Sequence, residues 1–63
     1  MFTVDPAAGS IWRHENGVPY RVLMVTNLAD TGRFPKTVVY EDGKGVKWSQ
    51  PLTTFRNHMT PSK

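Results

Sequence analysis

The chain has 63 residues, eight Lys/Arg against five Asp/Glu, a net charge of +3 and no cysteine. That length allows one domain, and a domain of this size buries only about 60% of the surface its unfolded chain exposes. The missing cysteine excludes disulfides and thiolate metal sites, so stability has to come from packing of two Trp, two Tyr and three Phe with the aliphatic residues, or from oligomerisation.

Residues 1–9 carry Pro6, two alanines and Gly9, and read as an N-terminal arm. Residues 10–14 alternate well enough for a short strand. Asn16-Gly17 follows, a strong hairpin signal because both residues tolerate positive φ. Residues 18–27 form the longest expected strand, rich in Val, Tyr and Thr, with Pro19 near its start where a missing N–H is tolerated. Residues 28–35 break the pattern with Asp30, Gly32 and Pro35. This connection is longer than usual, which marks it as a candidate functional loop. Residues 36–41 and 46–50 are the next two strands, joined by the tight turn Asp42-Gly43-Lys44-Gly45. Pro51 cannot donate to a ladder and ends the fourth strand. Pro51-Leu52-Thr53-Thr54 suits a single 3₁₀ turn, Phe55 to Met59 a short fifth strand, and residues 60–63 a polar tail.

No window holds an apolar helical period over three turns. The spacing of strands and turns predicts an all-β barrel or sandwich over residues 10–59. Along the long strand Tyr20, Val22 and Met24 share one face, and Arg21, Leu23 and Val25 the other. The expected core is Trp12, Tyr20, Val22, Val39, Trp48, Leu52 and Phe55; the pattern does not fix the register that chooses between Val39 and the pair Val38/Tyr40. A basic-then-apolar leader pattern is missing, and the longest apolar run, Val22-Leu23-Met24-Val25, is far too short to span a bilayer. A soluble, cytoplasmic protein without membrane contact is expected.

The pattern Gly9-x-x-Trp12-Arg13-His14-x-x-Gly17-x-x-Tyr20-x-Val22, then Val38-Val39-Tyr40, then Trp48-x-x-Pro51-Leu52-x-x-Phe55 resembles a family of small bacterial and phage domains of unknown function. The resemblance covers residues 9–55 and implies a compact SH3-like β-barrel; joined to the reading of the residues, the expected fold is such a barrel of about five antiparallel strands, with one 3₁₀ turn before the last. It implies no activity. Trp12 stands where Tyr is the commoner residue, and Ser49-Gln50 where Val-Arg or Ser-Arg is usual. An anionic ligand held by that arginine has no counterpart at Gln50.

Catalytic equipment is thin. His14 and His58 are the only histidines; a metal site would need Glu15 or Asp42 as a third ligand, and the spacing matches no ligand motif. Ser10 and Ser49 are not accompanied by a nucleophile elbow or a triad pattern. The expectation is therefore a non-enzymatic binding module, without metal or cofactor. Its expected partner is a protein, met through Leu28, Arg33 and Phe34 of the long loop or by a self-pairing strand edge that would make a homodimer. For a phage protein the natural target is a host or defence protein. The alternative is a nucleic-acid-binding barrel using Arg13, Arg21, Lys36, Lys47 and Arg56 beside an accessible aromatic. A small metal-dependent enzyme is the third reading.

Overall fold

The computed structural model describes residues 5–62. They form a small all-β domain with one short helix: β1 (Ile11–His14), β2 (Pro19–Thr26), β3 (Thr37–Glu41), β4 (Lys47–Pro51), α1 (Leu52–His58) and β5 (Met59–Pro61). The five strands make one antiparallel sheet in the order β4-β3-β2-β1-β5. Expected residues 1–4 of the arm and Lys63 of the tail lie outside the described residues. The rest of both segments is tied to the sheet. Pro6 is buried, the Gly9 N–H donates to the Val22 carbonyl at 2.7 Å, and the Ser62 N–H donates to the Ile11 carbonyl at 2.9 Å.

Both tight hairpins use the same device. A side-chain acceptor at the end of the first strand takes the N–H two residues on. His14 Nδ1 accepts from Asn16 at 3.0 Å, and Asp42 Oδ1 accepts from Lys44 at 2.8 Å. Each loop is three residues long and closes on a glycine with positive φ, Gly17 at 93° and Gly45 at 86°. That is the three-residue hairpin with a left-handed glycine, in which only the last loop residue needs φ > 0; Asn16 does not adopt it.

A bulge between Val22 and Met24 shifts the β2–β3 register. Before it Val22 lies opposite Tyr40; after it Val25 lies opposite Val38. One extra residue flips the side-chain alternation, so Met24 leaves the core face and Val25 joins it. The core is Val22, Val38, Tyr40, Phe55 and Met59, with Trp12, Tyr20, Val25 and Leu52 packed around it. Two expected core residues are thereby corrected. Val39 pairs with Met24 and Ser49 on the outer face. Trp48 is on the core face opposite Tyr40, but it sits on an edge strand and 49% of it is exposed.

The closing segment also differs from expectation. Pro51 caps a seven-residue α-helix rather than a 3₁₀ turn, and the fifth strand starts only at Met59. Leu52 and Phe55, spaced i and i+3, lie on one side of the helix, and Met59, the first residue of β5, is buried in the same core. Arg56 and His58 in the last turn suit the negative end of the helix dipole. Phe55 is fully buried, its ring 5.1 Å from Trp12 and 5.3 Å from Tyr40 between centroids. The sheet is not closed into a barrel. The chain leaves β4 through α1, and among the described residues β5 pairs with β1 alone, so β4 and β5 are the edges of the sheet they form.

Candidate functional site

The β2–β3 connection, residues 27–36, is built by its own polar groups. Asn27 and Asp30 both adopt left-handed backbone, at φ 59° and 55°, which Asn and Asp tolerate better than other non-glycine residues. The Asn27 side-chain amide donates to the Pro35 carbonyl at 3.1 Å, and Asp30 Oδ1 accepts the Lys36 N–H at 2.9 Å. Thr31 Oγ1 accepts the Phe34 N–H at 3.1 Å. These bonds brace the loop without anchoring its side chains in the core. Phe34 is consequently 61% and Leu28 69% exposed, with Arg33 exposed between them in sequence. Beside the loop a shallow groove of about 370 Å³ runs between Asp30, Pro35 and Lys36 on one side and Leu52, Thr53 and Arg56 on the other.

The five cations expected to contact nucleic acid are not brought together. Opposite residues of neighbouring strands share a face, so Arg21, Glu41 and Lys47 form one row on the outer face. Glu41 holds both cations, Arg21 at 3.3 Å and Lys47 at 3.9 Å. Arg13, also on this face, donates to the Gly17 carbonyl at 3.2 Å. Lys36 and Arg56 flank the groove beside α1, and Lys36 pairs with Asp5 at 3.3 Å. Trp48, Tyr40 and Tyr20 are on the opposite, core-facing side of the sheet.

A row of rings along that side has no counterpart in the sequence pattern. Trp48 on β4 lies opposite Tyr40 on β3. Tyr40 meets Tyr20 of β2 edge-on at 5.2 Å, Tyr20 meets His14 of β1 edge-on at 6.4 Å, and His14 stacks on His58 at 6.1 Å. Glu15 Oε2 lies 3.1 Å from His58 Nδ1. Burial holds the Tyr40 phenol above its ordinary range, and the neighbouring Tyr20 phenol adds to this. At the Trp48 end the Lys44 and Val46 N–H groups and the Trp48 indole hold the Asp42 carboxyl low, the Lys44 N–H contributing most and partial desolvation opposing them. Among the described residues no three or more His, Cys, Asp or Glu side chains are grouped so as to hold a metal ion, and no helix is long and apolar enough to cross a membrane.

No protein-family model matches the chain, and neither a curated protein nor a solved structure does.

Proposed function

We propose that this domain is a non-enzymatic binding module that docks a protein partner through Leu28, Arg33 and Phe34 and the adjoining groove. The observation that carries the reading is the loop of residues 27–36. The Asn27, Asp30 and Thr31 side chains are bonded within the loop, and two large apolar side chains stay in solvent. An ordered loop loses little freedom on binding, and exposed aromatic and arginine side chains are the residues that anchor interfaces. We read the architecture as SH3-like and related to the small bacterial and phage domains it resembles. The strand order, with β5 returning to β1 after a short helical turn, supports that reading. A phage or bacterial origin would make a host or defence protein the natural partner.

Nucleic-acid contact has less support. Arg21, Lys47 and Lys36 are engaged by carboxylates, and the accessible aromatics of the sheet lie across it from Arg13 and Arg21.

The test is affinity capture from bacterial lysate with the wild type and a Leu28→Ala/Phe34→Ala double variant side by side. The wild type should retain a stoichiometric partner that the folded double variant loses. Equal retention by both would remove the loop from the site.

A further inference from the structure

The two edges of the sheet are not alike. β5 has three residues and ends on Pro61, which blunts it in the usual way. β4 has five, Lys47–Pro51, with its charge and its proline at the ends and neither a charge nor a bulge between.

The direction of its free main-chain groups follows from the flanking bonds. The Asp42 N–H donates to Val46 O at 3.1 Å, and the Leu52 N–H to Lys36 O at 2.8 Å. Hydrogen-bonded and non-hydrogen-bonded pairs alternate along an antiparallel ladder. With the observed register, Tyr40/Trp48 and Val38/Gln50 are therefore the bonded pairs in between. Lys47, Ser49 and Pro51 turn their main-chain groups away from β3, towards the open edge. Pro51, which has no N–H, fits that phase.

We infer that β4 is a self-pairing edge, and that two copies of this chain join there as an antiparallel dimer centred on Ser49. In a two-fold pairing that keeps the core faces on one side, each residue meets a residue of its own face. The centre must also be a residue whose main-chain groups point outward. Ser49 meets both conditions in the middle of the strand. The two Ser49 amides then bond reciprocally, and each Lys47 N–H meets the carbonyl of the partner's Pro51.

The side chains agree with that register. On the outer face serine meets serine and lysine meets proline, so no like charges oppose each other. On the core face Trp48 lies against the partner's Gln50, which covers the indole that the single chain leaves half exposed. The second copy would also relieve a domain of this size that has no disulfide. This edge meets the groove beside the loop of residues 27–36 only at Pro51; the variants that test the loop, at Leu28 and Phe34, leave the edge untouched, so either assignment can fail without the other.

Sedimentation equilibrium of the full chain from about 10 µM to about 1 mM, with far-UV circular dichroism on every variant, tests the proposal. Wild type should move reversibly from the mass of one chain to that of two. Ser49→Pro removes the central bonds but no bond to β3, and Ser49→Lys sets like charges against each other. Both should be monomeric over the whole range with unchanged spectra. Thr60→Lys, a charge added on the outer face of β5, should leave the dimer in place. A wild type that stays monomeric at about 1 mM overturns the inference. So does a dimer that survives Ser49→Lys, or one that Thr60→Lys dissociates equally. Should Ser49→Pro fail to fold, Ser49→Lys decides alone.

Discussion

Two connections of this chain each carry a phenylalanine and treat it in opposite ways. In α1 Phe55 is wholly buried; in the loop of residues 27–36 Phe34 is 61% exposed. The difference lies in how each segment satisfies its main chain. The helix bonds to itself along its axis, so the side carrying Leu52 and Phe55 is free to lie on the sheet. The loop bonds through Asn27, Asp30 and Thr31, with left-handed turns at Asn27 and Asp30, and its apolar side chains are left outside. The first connection is part of the core, and the second is a surface presented by it.

The largest effect should come from Phe55. Phe55→Ala empties the centre of the aromatic cluster and should cost about 3–5 kcal/mol, comparable with the whole stability of a domain this small. Urea denaturation followed by tryptophan fluorescence should find little folded protein. A well-folded Phe55→Ala variant would break the contrast at its buried end. Trp48→Ala is next. An indole that is half covered should cost about 2 kcal/mol, so this variant should still fold, with a lower urea midpoint. Complete unfolding would mean that Trp48 belongs with Phe55.

Much of this contrast could be read in the sequence, and the failures have physical causes. The first four strands and both hairpins were legible because alternation, Asn-Gly and Asp-Gly are local signals; the fifth strand, expected over Phe55 to Met59, was not. The core choice between Val38 and Val39 was not, because it depends on the bulge at Leu23, which no local pattern announces. The helix was not legible, because seven residues are too few to show an apolar period over three turns. Pro51-Leu52-Thr53-Thr54 argued instead for a single 3₁₀ turn. Trp48 could not be placed, because the burial of an edge residue depends on whether another strand follows. Leu28, Arg33 and Phe34 were readable as members of a long loop. Their exposure was not, since it follows from side-chain bonds between residues three to eight apart.

Two smaller effects sharpen the core side of the comparison. Gln50 Oε1 is the one buried side-chain polar atom among the described residues without a hydrogen-bond partner. Gln50→Met should remove that unmet acceptor and stabilise the fold by about 1 kcal/mol, read as a higher urea midpoint. Tyr40 should govern the alkaline limb. Its phenol ionises above the ordinary value of 10.0 in the folded chain, so its contribution is fully present below pH 10.0 and is lost as pH rises from there through the folded value. Tyr40→Phe should flatten the fall of urea midpoint above pH 10.0, and an unchanged slope would dissociate Tyr40 from it.

The central claim is that Leu28 and Phe34 lie outside the core and do not hold the fold together. The most direct measurement is the urea unfolding free energy of Leu28→Ala/Phe34→Ala beside wild type. The predicted difference is within about 0.5 kcal/mol, as for surface substitutions generally. A loss of about 2 kcal/mol or more would show that these side chains are packed and would contradict the account.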